Sequence, residues 1–539
     1  MVRFGTIARA HWGRVVDAVA SLGFDAIDIP LVWREHEVGP GTFDFEQGTR
    51  ALDEMLTLAR GAGLGTIVRV GPVCSDEAPA MGLPERIVRD VACQARTPRG
   101  NTVWVPDPPR IMPWPSIASE AYGREASAWV TAACQAIARS DPDGTLVSRV
   151  IVGHGPHPTF RNDPEHHPDE GPDPALTFAM RLADAANAAG IARDRVTISI
   201  TGGLQIAPCA RTLATTNALA LASPHPSSGT MAVWRAVQHG GASTRLHGLH
   251  WDVWCGGPVF HPPMRGAHAV EAARVAVLAG AESVTVRMAC AGSRWIGAIL
   301  GETGGRRAHS ALWADWNAWA GDMAIGEDIA ADLVEPQELV RAARDDASID
   351  PLPTPFAAFL GWTAGQIASD DVAVAGSKSL AAAESSLAGA ERSLRAAGLP
   401  VRRVSAGAEG PLAWRCGDST AGFTRRATAA LESVALDVDP RDAAIVRAMI
   451  CGERAELIVL NHTASPVRVR PHAEGWRRGD DIVEPGTTVE LAGGESLRLH
   501  RPAAEVRVPS ADAVIASRTK RRPAVRRRSA ARPPKDGAQ

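Results

Sequence analysis

No segment of this sequence approaches the apolar length that crosses a bilayer, and residues 1–10 lack the apolar run and small-residue cleavage site of a standard secretory signal. A membrane partner is therefore not expected, and the location read from the sequence is cytoplasmic. No C-x-x-C pair occurs either. The eight cysteines (74, 93, 134, 209, 255, 290, 416 and 451) stand singly, which suits reduced, buried thiols better than a disulfide framework or a zinc site. The chain also has no G-x-S-x-G elbow and no glycine loop shaped to cradle phosphate, so neither serine-type acyl chemistry nor nucleotide binding has a basis. His154-x-x-His157, with His166 and His167, falls in one Pro/His/Asp-rich loop without helical support, and reads as solvated imidazoles rather than a metal site. Neither cofactor nor metal is expected.

Tyrosine is nearly missing too, occurring once, whereas tryptophan occurs 15 times and 12 of those fall before residue 325. A hydrophobic content of 45% over 539 residues is enough for large cores and about three domains. The net charge of −3 hides an asymmetry: residues 518–539 carry +8, leaving −11 for the remainder. Interspersed with Pro and Ala and without apolar periodicity, the 506–539 segment reads as a disordered basic tail. Weak contact with nucleic acid or an anionic surface is one expectation for it. A solvated tail without a dedicated partner is the simpler one, because no aromatic residue is interleaved for base stacking.

The densest information lies between Trp33 and Pro84. Residues 24–33 form a mostly apolar run ending in Glu35-His36-Glu37, as a buried strand does when it delivers polar groups to a rim. Pro40-Gly41 turns the chain, residues 52–62 have helical spacing, and residues 65–70 read as the next strand, leading to Asp76-Glu77. Strands alternating with helices imply a parallel sheet whose polar residues collect at the strand ends. Trp12, Gly23 and Trp33, with Trp33-Arg-Glu-His36-Glu37-Val-Gly-Pro40-Gly41-Thr-Phe43-Asp44-Phe45, resemble glycoside hydrolase family 35, the β-galactosidases, and its W-x-x-H-E-x-x-P-G-x-F-D-F. Arg69-Val-Gly71-Pro72, Glu77 and Gly82-Leu83-Pro84 match the R-P-G-P-Y-I-C-A-E-W-D-F-G-G-L-P of that family without a gap. The resemblance is clear over about the first hundred residues and patchy beyond.

Further on, helices are expected over 118–138, 175–190 and 267–279, and strands over 146–152, 196–201, 218–222, 245–254 and 283–288. With 3–7 as a first strand these make eight, an α/β fold of the (β/α)8 TIM-barrel kind over 1–325. A small α/β domain over 326–437 follows, with a strand at 372–376, a helix at 380–397 and a strand at 401–404. An antiparallel β domain over 438–505 ends the fold, with strands at 443–451, 456–461, 467–470, 487–491 and 496–500. This layout is also similar to glycoside hydrolase family 42.

A retaining glycosidase needs two carboxyl groups roughly 5 to 5.5 Å apart, one to protonate the leaving oxygen and one to attack the anomeric carbon. The resemblance implies a Glu at the end of the fourth strand and another at the end of the seventh. Here the fourth strand runs into Gly153-His154-Gly155-Pro156, and no carboxylate follows until Asp163. His154 is a candidate proton donor, with a surface or hydrogen-bonding role as its alternative. The seventh strand, Leu249-His250-Trp251-Asp252-Val253-Trp254, places Leu249 at the nucleophile position and leaves Asp252 as the nearby carboxylate. Asp252 is a candidate nucleophile or hydroxyl acceptor, or else a rim residue paired with a base such as Arg287. Period-two alternation puts His250 and Asp252 on one face, and Leu249 and Trp251 on the other.

Sugar-holding features are better kept. Glu77 matches a carboxylate that the resemblance implies holds a substrate hydroxyl, and Glu37 belongs to the same rim. Trp33, Trp251, Trp254 and Trp295 are the expected strand-end indoles for stacking on a sugar ring. Two functions stand side by side: a β-galactosidase-like glycoside hydrolase with altered catalytic positions, and a catalytically silent carbohydrate-binding protein on the same barrel. The expected partner is a galactoside or related glycan, and an oligomer is compatible with the sequence.

Overall fold

Apolar residues three and four apart make the first helix, α1 (Trp12–Ser21), whose buried face is Trp12, Val15, Val16 and Val19. The same spacing in α2 (Leu52–Gly61) buries Leu52, Met55, Leu56 and Ala59. A computed structural model describes residues 1–73, 78–96, 100–107, 110–154, 174–201, 218–222, 249–254, 266–281, 283–287, 289–290, 298–323, 327–334, 378–404, 412–415, 418–441, 443–463, 465–493 and 495–506. At residues 105–107, 110, 154, 174–176, 199–201, 218–222, 249–254, 266–268 and 378–385 the description is of the backbone.

Seven strands, β1 (Ala26–Pro30), β2 (Gly65–Val73), β3 (Val147–His154), β4 (Val196–Thr201), β5 (Ala218–Ala222), β6 (Leu249–Trp254) and β7 (Ser283–Arg287), form one sheet in sequence order, every pair parallel. The helices between them include α3 (Glu120–Ser140), started by Ser119 whose hydroxyl accepts from Tyr122 N, then α4 (Pro174–Ala188) and α5 (Gly266–Leu278), and α6 (Ser310–Gly321) follows the last strand. Both outer strands of the sheet meet the first three residues. Val2 N donates to Asp28 O at 2.8 Å, Arg3 N donates to Cys290 O at 2.9 Å, and Val2 is bridged in parallel to Cys290.

Two expectations are corrected here. The strand expected over 3–7 is a 3-10 turn, Phe4–Thr6, because Phe4 folds inward to pack edge-on against Trp12, 5.0 Å between centroids; the strand-like contacts fall earlier, at residues 1–3. The strand expected to reach Trp33 ends at Pro30, and Trp33–His36 makes a single helical turn.

After the parallel sheet, β8 (Ala331–Val334) lies between β9 (Val401–Val404) and β10 (Ala413–Trp414), with α7 (Lys378–Ala396) and α8 (Thr420–Ala430) beside them. The strand expected at 372–376 lies outside the described residues. Strands β11 (Leu436–Asp439), β12 (Ala444–Cys451), β13 (Arg454–Asn461), β14 (Val467–Pro471), β15 (Trp476–Arg478), β16 (Asp481–Val483), β17 (Val489–Leu491) and β18 (Ser496–Pro502) are antiparallel, in two sheets ordered β11-β14-β17 and β12-β13-β18-β15-β16. The short hairpin β15–β16 was not foreseen, since its charged sequence Arg477-Arg478-Gly479-Asp480-Asp481 has no strand pattern. Glu327–Asp328 pairs with Met449 and Ile450 of β12, so these two residues join the carboxyl-terminal sheet rather than the α/β segment. Ile445, Met449, Ile458 and Leu460 belong to the same buried cluster as the parallel sheet and its helices.

Candidate functional site

In a parallel sheet, residues registered side by side share a face, so the strand pairings carry one parity from strand to strand. Pro30 is registered with Arg69, Arg69 with Ile151, Ile151 with Thr197, Thr201 with Ala222, Ala222 with Asp252, and Trp254 with Arg287. Asp28, Arg69, Thr197 and Arg287 on this parity are buried polar groups, while the other parity holds Ile29, Val68, Val150, Ile198 and Val286. One parity is thus polar and the other apolar. Asp252 and Trp254 stand at positions of the polar parity. Trp251, registered with Leu221 and Val284, stands on the other, which separates it from the rest of the expected sugar-binding set. His154 ends β3 in register with Val73, and Glu77 and Trp295 lie outside the described residues.

The helical turn after β1 carries three functional candidates, and the packing treats each differently. Trp33 is fully enclosed, its ring stacked on Trp129 at 6.0 Å and 2°, and Trp129 is fixed in turn by its indole N–H donating to Val70 O at 2.8 Å. The expectation of an indole face open to a sugar is thus corrected at Trp33: one face is taken by Trp129. His36 is buried against Phe45, with Nδ1 2.9 Å from Asp44 O. Burial holds its pKa below the ordinary value, only partly offset by the Asp44 carbonyl and the Glu35 charge.

Glu37 is bound rather than free. Arg86, from the short helix Glu85–Arg89, donates to Glu37 Oε1 from Nε at 3.0 Å and from Nη2 at 2.6 Å, and also reaches Glu125 of α3 at 2.7 Å. Burial opposes the Arg86 charge, but the hydrogen bonds it donates to Glu37 and Glu125 outweigh that and raise its pKa. Glu37 thus braces three elements at the rim, with its side chain 7% exposed. Glu35, one of the strand-end carboxylates of the same charged cluster, has a different partner. It accepts from Arg3 Nη2 at 2.5 Å and keeps a third of its side chain exposed. Among the described residues no three His, Cys, Asp or Glu side chains gather as metal ligands, and no helix is long and apolar enough to cross a membrane.

Residues 2–102 match Glycosyl hydrolases family 35. A probable β-galactosidase C of Neosartorya fischeri is 37% identical over 71 residues, 13% of this chain and 7% of the relative. A probable β-galactosidase B of Aspergillus fumigatus is 31% identical over 97 residues, 18% of this chain and 10% of the relative. The matched segment is therefore a small part of those curated relatives. Solved structures agree over far more of the chain. The β-galactosidase of Bacillus circulans sp. alkalophilus superposes with a TM-score of 0.59 at 10% identity, covering 93% of this chain and 98% of that one. That of the haloarchaeon Halorubrum lacusprofundi gives 0.56 at 13% identity, covering 91% and 97%. A family 42 β-galactosidase of G. stearothermophilus gives 0.56 at 9% identity, covering 90% and 95%. Residues 2–102 thus match the glycosyl hydrolase family 35 model, and the chain shares its overall fold over nine-tenths of its length with solved β-galactosidases.

Proposed function

We propose that the chain is a β-galactosidase-like glycoside hydrolase whose catalytic positions have changed, so that it holds a galactoside or related glycan at the strand ends while hydrolysis is reduced or lost. The observation that carries this reading is the contrast between the first hundred residues, which match the family, and the end of β3. There the chain continues Gly153-His154-Gly155-Pro156, without the carboxylate that leaving-group protonation requires. In this reading the polar parity faces the interior, so that Asp252 on β6 is the carboxylate left to act as nucleophile or hydroxyl acceptor, and His154 the candidate donor. Trp254, Glu77 and Trp295 complete the sugar-binding set, and Glu37 acts as a brace. We also infer that residues 1–3 close the sheet into an eight-stranded ring, with the α/β segment and the antiparallel sheets as accessory domains.

A catalytically silent carbohydrate-binding protein on the same barrel is the second reading, favoured by the same replacement in β3. Nitrophenyl β-galactoside hydrolysis by the wild type and by Asp252→Asn separates them. Turnover that Asp252→Asn abolishes establishes the hydrolase, whereas saturable galactoside binding without turnover establishes the silent form. Absence of both binding and turnover would overturn the proposal.

A further inference from the structure

Arg3 sits where residues 1–3 lie between β1 and the segment following β7, at the carboxyl end of the sheet, the end at which parallel α/β barrels place their sites. It is 5% exposed. One of its nitrogens, Nη2, donates to Glu35 Oε1, and its Nε has no hydrogen-bond partner among the described residues. Buried guanidinium donors are rarely left unmet, because each forgoes its hydration on folding. Glu35 presents the complementary half. Its Oε1 is held by Arg3, its other oxygen accepts no hydrogen bond from the described residues, and the side chain is 33% exposed. Gly5 makes this approach feasible, since a Cβ there would lie 2.3 Å from Glu35 Oε2. The helical turn that carries Glu35 is fixed from behind by the Trp33–Trp129 stack and the Glu37–Arg86 ion pair.

We propose that Arg3 and Glu35 form a diol-binding element: a guanidinium that donates to one sugar oxygen, and a carboxylate oxygen that accepts the proton of the neighbouring hydroxyl. A guanidinium beside a carboxylate offers a donor and an acceptor a few ångströms apart, which matches vicinal hydroxyls of a neutral sugar. An anionic sugar would instead meet the charge of Glu35. This inference rests on the reading of the chain as a galactoside-binding barrel and adds to it a site that the family 35 pattern leaves as an unspecified position of W-x-x-H-E.

The test is calorimetric titration of the full chain with galactose and with its mono-deoxy analogues, using wild type, Glu35→Gln and Arg3→Lys, each checked for folding by circular dichroism. Glu35→Gln is expected to weaken galactose binding roughly 10- to 100-fold, as loss of a charge-assisted hydrogen bond does. One deoxygalactose should show that same loss with the wild type and no further loss with Glu35→Gln. Arg3→Lys, which keeps the charge and removes the planar fork, should weaken binding in the same way and supplies the result if Glu35→Gln does not fold. Unchanged affinity in the folded variants overturns the proposal while leaving the galactoside reading intact. So does weakened affinity that is uncoupled from every deoxy position, since a purely structural ion pair would behave that way. A wild type that binds no galactoside overturns both.

Discussion

The carboxylate of Asp28 and the guanidinium of Arg69 meet at 2.7 Å with each side chain only 2% exposed, joining β1 to β2 inside the parallel sheet. Neutralising Asp28 removes a compensating charge from a guanidinium held in a medium that solvates it poorly. Asp28→Asn is therefore expected to cost about 3 to 5 kcal/mol in urea unfolding. The double change Asp28→Leu with Arg69→Met should cost clearly less than the two single changes added together, because neither charge then remains. Equal additive costs would mean that the two side chains do not depend on each other.

What could be read from the sequence follows from the range over which each feature is determined. Helical spacing is local, and residues 118–138, 175–190 and 267–279 appear as α3, α4 and α5 with shifts of one or two positions at each end. The parity of Asp252 needed the register of six neighbouring strands, which is fixed by pairing across the whole sheet. Trp33 was misplaced for a local reason: an apolar run cannot reveal that the backbone leaves the sheet at Pro30 and coils, carrying the ring into the core. The bond from Arg86 to Glu37 spans 49 residues and that from Arg3 to Glu35 spans 32, distances over which no spacing rule operates.

The imidazole of His36 sets a pH dependence. Its folded pKa lies below the ordinary 6.5, chiefly through burial, so the native state favours the neutral ring. Stability from this group is full above pH 6.5 and declines as the pH falls toward the folded value, because the unfolded chain takes up the proton first. The urea midpoint should drop between pH 7.5 and pH 5.5, and His36→Gln should flatten that drop while lowering stability throughout. Below about pH 4, Asp44 adds a second decline. Its pKa is lowered first by the Glu46 backbone N–H, with Arg50 assisting, so its contribution is lost as the folded carboxylate protonates.

Burial also governs the thiols. Cys93 and Cys134 are both pushed up to about 12, in each case mainly by desolvation. Little thiolate exists at pH 8 in either, and neither is open to reagent. Peptide mapping after brief treatment with a maleimide should find both unmodified in the native protein and fully modified in urea. Labelling at native rates equal to those of a free thiol would contradict the packing.

Asn461 at the end of β13 is fully buried and uses both ends of its amide. Nδ2 donates to the carbonyls of Ser465 (2.8 Å), Leu491 (3.0 Å) and Ala492 (3.0 Å), and Oδ1 accepts from Thr463 N (2.9 Å) and its hydroxyl (2.8 Å). Asn461→Asp preserves the shape but sets carboxylate oxygens against these carbonyls, for an expected loss of about 3 kcal/mol or more in thermal or urea unfolding. Asn461-His462-Thr463 also has the form of a glycan acceptor, yet an amide enclosed in this way is closed to a transferase acting on the folded chain. Mass analysis after expression through a secretory route should find no sugar on Asn461 of the folded protein.

The carboxyl-terminal sheet is expected to be inseparable from the barrel. Ile445, Met449, Ile458 and Leu460 are buried in the same cluster as the parallel sheet, Arg447 donates to Val277 O of α5 at 2.7 Å and to Asp328 at 2.9 Å, and Arg498 donates to Asp322 O just after α6. Returning four large apolar side chains to water costs roughly 1.5 to 3 kcal/mol each, so removal of β12 and β13 withdraws about 6 to 12 kcal/mol from the interface. That is as large as the whole stability of an ordinary domain, about 5 to 15 kcal/mol. A fragment of residues 1–325 should therefore aggregate or bind a hydrophobic dye, and adding back residues 326–506 during refolding should restore a cooperative transition. A soluble 1–325 fragment that melts as sharply as the full chain would mean that the barrel carries its own stability and that the second layer merely covers it.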